Sequence, residues 1–187
     1  MSPRTALIGA VLLAAAPLFA APASAAAITP VSAHWQKHEL TFDYHGYTSY
    51  YTCEGLEAKV REILLHFGAR PGAKVSATGC LRPNEPSATA WVKVQFESLG
   101  DAGDNGGANS VAASWQPVEL RPSRPSAMGR GECEIVEKLK PVLTAGFALQ
   151  DLEYRTSCVP HQVGLDDYRI RGKVLQPIQA QPAPAAQ

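Results

Sequence analysis

Three histidines stand close together in HWQKHELTFDYH: His34, His38 and His45, with Asp43 beside the last. Imidazole and carboxylate are ligands for zinc and copper, so this stretch could hold a metal ion. His34 and His38 are four apart, the spacing that puts two side chains on one face of a helix. A strand pattern competes with this reading. Leu40, Phe42 and Tyr44 alternate with Thr41, Asp43 and His45, and in a strand those polar residues point to solvent.

A second kind of chemistry belongs to the four cysteines. Cys53 opens CEGLEAKV and Cys133 opens CEIVEKLK; Cys80 ends SATGC and Cys158 ends YRTSC. A thiol at a helix N-terminus can have a lowered pKa and be reactive. No Cys-x-x-Cys is present, however, and the paired short spacings of a tetrahedral zinc site are missing. The even count suits a disulfide frame in an oxidising compartment.

Recognition is the third possibility. Tyr44, Tyr47, Tyr50 and Tyr51 crowd the stretch YHGYTSYYT, and tyrosine buries contact area at small entropic cost while keeping a polar tip. The competing reading packs alternate tyrosines into the core. Asp101, Asp104, Asn105 and Asn109 lack EF-hand spacing and read as the tip of a glycine-rich hairpin. Arg121, Arg124 and Arg130 make a basic, proline-containing loop that could meet an acidic partner or lipid headgroups, but the preferred reading is a solvated connector. Catalytic signatures such as Gly-x-Ser-x-Gly, His-Glu-x-x-His or a phosphate-binding glycine loop are absent. The sequence implies no catalytic residues and no cofactor.

The elements that carry these residues follow from periodicity. Leu56, Val60, Ile63, Leu64 and Phe67 form one apolar stripe of a helix that starts at Cys53, with Glu54 and Glu57 in its favourable first turn. Gly68 or Gly72 ends it. A second helix starts at Cys133 with Ile135, Leu139 and Val142, where Pro141 is expected to kink or shorten it. Strands are expected in GYTSYYT, KVSATG, AWVKVQFESL, SWQPVEL and LEYRTS, with YRIRGKVL as a late edge strand.

The two Cys-Glu phrases align if Ala58 is an insertion, so a duplicated β-α-β unit is expected. The fold class is α+β, in a ferredoxin-like split arrangement with two helices on one face of a mainly antiparallel sheet. The cysteine pairing follows by geometry. A helix of about 14 residues travels roughly 21 Å, and a strand of about 7 residues returns roughly 23 Å. Each second cysteine is thereby level with the first, which predicts Cys53–Cys80 and Cys133–Cys158.

The ends set the compartment. Residues 1–25 read as a secretory signal peptide, with Arg4, an apolar run and an Ala-Ser-Ala cleavage pattern. No later stretch is apolar enough to span a membrane. Residues 26–176 read as one domain with pseudo-repeats at about 44–80 and 111–158. Residues 177–187, PIQAQPAPAAQ, read as a disordered tail. Seventeen bases balance seventeen acids over the whole chain. That balance argues against nucleic acid as a partner.

The block FDYHGYTSYYTCEGLEAKVREILLHFGA resembles a segment of small exported bacterial proteins of proteobacterial type and uncharacterised function. The resemblance implies a periplasmic location and brings no activity. Together these readings describe a disulfide-stabilised periplasmic protein, non-enzymatic, binding another periplasmic or envelope protein. The alternatives are a metal-binding protein using the N-terminal histidines, or an enzyme with a composite site.

Overall fold

A computed structural model describes residues 29–80, 85–101, 110–159, 162 and 167–178. The expected signal peptide, the glycine-rich segment 102–109 and residues 179–187 of the expected tail lie outside the described residues. The fold is α+β, with two helices and six strands: β1 (Val31–His45), α1 (Cys53–His66), β2 (Lys74–Thr78), β3 (Thr89–Asp101), β4 (Val111–Leu120), α2 (Cys133–Gly146), β5 (Leu149–Thr156) and β6 (Tyr168–Pro177). The strands form one sheet in the order β2-β3-β1-β4-β6-β5, every neighbouring pair antiparallel.

Each half has the element order strand, helix, strand, strand. The two strands that flank each helix run in the same direction, and the third lies between them. The stretch YRIRGKVL is therefore an inner strand, β6, and not the expected edge. Nor do β3 and β4 form a hairpin around the glycine-rich segment, because β1 lies between them. The expected strand GYTSYYT is mostly loop: β1 ends at His45, and Tyr51 makes an isolated bridge to Ser87. At the C-terminal end, Pro177 still belongs to β6 and the Ile178 N–H donates to the Ala112 carbonyl at 3.0 Å, so order extends past the expected start of the tail.

Both helices have fourteen residues. Thr52 caps α1, its hydroxyl accepting the Gly55 N–H at 2.9 Å. Gly68 ends the turn at φ 92°, a left-handed conformation that glycine adopts without strain. α2 runs on through Pro141, which lies exposed, so the proline does not shorten it. The helices are capped at their C-termini by Phe67 and Phe147, whose rings meet at 5.8 Å between centroids.

One apolar core takes in both helices and one face of the sheet, including Leu56, Val60, Ile63, Val92, Val94, Ile135, Leu139 and Ile170. In register, Tyr44 lies opposite Ala90, Val75 opposite Val94 and Leu120 opposite Ile170, so both helices cover the same face. β1 and β4 pair over only three residues each, Val31–Ala33 and Val111–Ala113. On the far face at this joint, Ala33, Leu99, Ala113 and Leu175 make a second, smaller cluster, flanked by Trp35 and Trp115. The Arg70 guanidinium lies over the Trp35 ring at 5.3 Å.

The sheet edges differ. At the β2 edge, Glu57 accepts the Ala77 N–H at 2.8 Å and Arg61 donates to the carbonyl of Ala73, the residue before the strand, at 3.3 Å, so side chains of α1 partly shield this edge. β5, at the other edge, is exposed along most of its length and bulges between Gln150 and Glu153.

Candidate functional site

The cysteines and the tyrosine-rich loop gather at the end of the molecule where both helices begin. Disulfides join Cys53 to Cys80 and Cys133 to Cys158, with Cα separations of 6.0 and 6.1 Å, within the usual range for such a bond. None of these cysteines is a free thiol.

Between β1 and α1 runs the loop 46–52. Its backbone is held by one carboxylate from the other half of the chain. Glu134, in the first turn of α2, accepts the N–H groups of Tyr47 (2.9 Å), Thr48 (3.1 Å) and Ser49 (3.2 Å). Beside it Glu132 accepts the Tyr51 hydroxyl (2.7 Å), the Lys59 ammonium (2.7 Å) and the Gly129 N–H (2.6 Å). Lys59 also donates to the Ala127 carbonyl. This ion pair is largely shielded, with side-chain exposures of 12% and 14%. The two glutamates thus bind the halves together.

The tyrosines divide. Tyr44 is 1% exposed and donates to the Ser49 carbonyl at 2.6 Å. Tyr51 is half-buried on Glu132. Tyr47 and Tyr50 stand in solvent at 55% and 54%. The four do not make one exposed surface. Burial pushes the Tyr44 and Tyr51 phenols far above their usual range, helped by the nearby Glu134 and Glu132 carboxylates. Tyr168, which donates to the Gly129 carbonyl at 2.8 Å, is raised in the same way by burial and by Glu132.

The histidines do not converge either. His34, His38 and His45 all lie on the single strand β1, so four residues separate the first two by roughly 13 Å and the third stands roughly 23 Å further on. The helix that would bring His34 and His38 together is not there, and one ion cannot bridge the three. No cluster of three or more His, Cys, Asp or Glu suited to a metal occurs among the described residues. His38 instead has a structural place. Its ring packs on Phe96 at 5.1 Å, and its Nε2 lies 3.0 Å from the Ser98 hydroxyl. That hydroxyl donates its one proton to the Gly146 carbonyl, so the His38 Nε2 carries a proton and donates. Burial holds the His38 pKa below the ordinary imidazole value.

A cleft of about 420 Å³ opens between the loop and α2, lined by His45, Tyr47, Glu134, Glu137, Lys138 and Val159 among others. The Glu134 carboxylate already accepts three N–H groups, which occupies it as an acceptor. The cleft offers His45, Glu137 and Lys138 to a polar ligand.

A different surface lies on the face opposite the helices. Trp91 is 66% exposed there, in the strand between β1 and β2 and level with Asp43 and Thr78. Gly79 lets the indole lie against the chain: its φ is 85°, and a Cβ at this position would approach Trp91 Cδ1 to 3.1 Å. Lys93 pairs with Glu39 at 2.5 Å on the same face. Trp91 has the parity of Lys93 and Gln95, opposite to Val92, Val94 and Phe96, so the alternation of AWVKVQF already placed it outward.

No helix of the described residues is long and apolar enough to cross a membrane. Comparison with protein-family models, with curated proteins and with solved structures finds no match.

Proposed function

We propose that the chain is an exported, disulfide-braced binding module of the periplasm, without catalytic activity, which meets an envelope partner through the sheet face that the helices leave open. The observation that carries this reading is Trp91. A large indole is left in water on a polar face, while most of the other large apolar side chains among the described residues are buried. Tryptophan so placed supplies contact area with little ordering cost and is enriched at the centres of interfaces. Two disulfides suit an oxidising compartment. The matching element order of the halves and their matching cysteine loops support reading them as a duplicated, ferredoxin-like split unit.

The test is capture by the oxidised protein, immobilised and exposed to envelope extract. Trp91→Ala is expected to abolish capture of the partner while leaving the melting temperature within a degree or so, since an exposed side chain contributes little to stability. Capture that survives in Trp91→Ala but fails in a Tyr47→Ala/Tyr50→Ala variant would move the contact surface to the loop. Capture intact in both would overturn the reading.

A further inference from the structure

The half of the open face built by β4, β6 and β5 is basic, although acids and bases balance over the chain. Arg155 and Arg169 are direct cross-strand partners. Leu120 lies opposite Ile170, so Arg121, one residue on, is level with Arg169. Three guanidinium side chains therefore rise in one row across three adjacent strands, spanning about 10 Å at the spacing of strands in a sheet. Like charges directly opposite each other destabilise a sheet, and here the compensation is partial. Glu119 is shared by Arg121 (3.1 Å), Arg169 (3.3 Å) and Arg124 (3.7 Å). Glu153 is shared by Arg171 (2.8 Å) and Arg155 (3.7 Å), and Asp151 holds Lys173 at 2.8 Å. Among the described residues six cations thus pair with three carboxylates, a fourth carboxylate, the exposed Asp167, stands two residues before Arg169 on the same side of the chain, and the Arg155 side chain is 78% exposed.

We propose that this arginine face docks on the anionic headgroup layer of a membrane. The inference rests on the reading above, that the chain is exported and binds through its open face, and it names the partner of one half of that face. Three features select a headgroup layer. Five of the six cations are arginines, whose planar forks match phosphate oxygens two at a time. The surface is flat: the hollow among Glu153, Arg155, Arg169 and Arg171 holds only about 20 Å³, too little to seat a small ligand or a chain. Trp115 shares this face but is half-buried against Leu175, and no exposed aromatic side chain stands in the arginine row itself, where the centre of a protein interface is enriched in them. A layer of mobile phosphates needs neither groove nor anchor. Each surplus charge near an anionic leaflet strengthens binding about fivefold, so the two left over give roughly twenty-five-fold over a neutral surface, declining as salt screens them.

The test is cosedimentation of the oxidised full chain with two vesicle preparations, phosphatidylcholine alone and an equal mixture of phosphatidylcholine and phosphatidylglycerol. Binding to the mixed vesicles alone, weakened at least tenfold in Arg155→Gln/Arg169→Gln and unchanged in the charge-matched Lys37→Gln/Lys93→Gln on the other half of the face, is the expected result. Circular dichroism and melting confirm that each variant is folded. Absence of binding to the mixed vesicles overturns the proposal, and so does equal loss in both variants, which would report net charge and not this row. Binding to soluble polyglutamate without binding to vesicles would also overturn it, in favour of an acidic protein. Loss of vesicle binding in Trp91→Ala with the arginine variant unaffected would overturn the arginine face and leave the open-face reading standing.

Discussion

At the scale of single residues, the two Cys-Glu-x-x-Glu phrases look alike and work differently. Glu134 clasps the 46–49 loop, whereas its counterpart Glu54 is exposed; Glu57 occupies the β2 edge, whereas Glu137 lines a cleft. Which glutamate has a partner depends on what the other half brings near it, and local sequence carries no trace of that. Glu134→Ala leaves three loop N–H groups without their acceptor. Hydrogen bonds to a charged group contribute about 1.5–3 kcal/mol, so a loss of about 2 kcal/mol is expected in denaturant unfolding, with Glu134→Gln losing less. His38 makes a pH-dependent contribution. Its folded pKa lies below the unfolded value, so the unfolded chain binds the extra proton and stability rises with pH through this window. The stability it contributes is present above about pH 6.5, the ordinary imidazole value, and is lost as pH falls below it. His38→Gln is expected to flatten the slope of stability against pH on the acid side of 6.5; an unchanged slope would assign it to another group.

At the scale of elements, α1 and the cysteine pairing were legible because both are local. A 3.6-residue stripe marks the helix, and the return length of one strand sets the loop that each disulfide closes. The strand order was not legible. Alternation in YRIRGKVL marks a strand but not its neighbours, and pairing β6 between β4 and β5 is a long-range choice. The histidine spacing misled for a related reason: i, i+4 brings side chains together on a helix and spreads them on a strand. Removing one disulfide with Cys133→Ser/Cys158→Ser reopens a loop of 25 residues, for which chain entropy gives about 3.5 kcal/mol; the midpoint of thermal unfolding reads it. Gly146→Ala sets two effects against each other. Alanine favours a helix by up to about 1 kcal/mol, but its methyl would collide with the Phe96 ring, which stacks on Phe147 at 5.1 Å. Overpacking of this kind costs about 1–3 kcal/mol, so net destabilisation is expected, and a more stable variant would show that Phe96 can move aside.

At the scale of the whole molecule, each half closes the other. The His66 ring at the end of α1 donates to the Glu119 carbonyl of β4 at 2.8 Å, and Ser98 of β3 donates to the end of α2. Backbone pairing between the halves is confined to a short joint, so most of what unites them is side-chain contact with both helices. Residues 29–101 alone would expose Phe96 and Tyr44 and lose the clasp on the loop. This fragment is expected to show no cooperative unfolding by circular dichroism, and a sharp transition would mean that one half is self-sufficient. The buried phenols Tyr44 and Tyr168 and the half-buried Tyr51 also draw on both halves. Their raised pKa values favour the protonated folded state, so the stability they contribute is full below about pH 10, the ordinary phenol value, and is lost as pH rises beyond it. Absorbance near 295 nm should show their ionisation coinciding with unfolding.

The unequal edges of the sheet set a limit on assembly. A stack of sheets grows without end only if each chain offers a donor edge and an acceptor edge. Here α1 side chains already hold the Ala77 N–H of β2 and the Ala73 carbonyl beside it, so recruitment through the backbone is favoured at β5. Two chains meeting there would turn their shielded edges outward, which disfavours further growth. The side chains of Glu57 and Arg61 thus act as a partial terminator, favouring a closed pair over an open stack when strands add to one another.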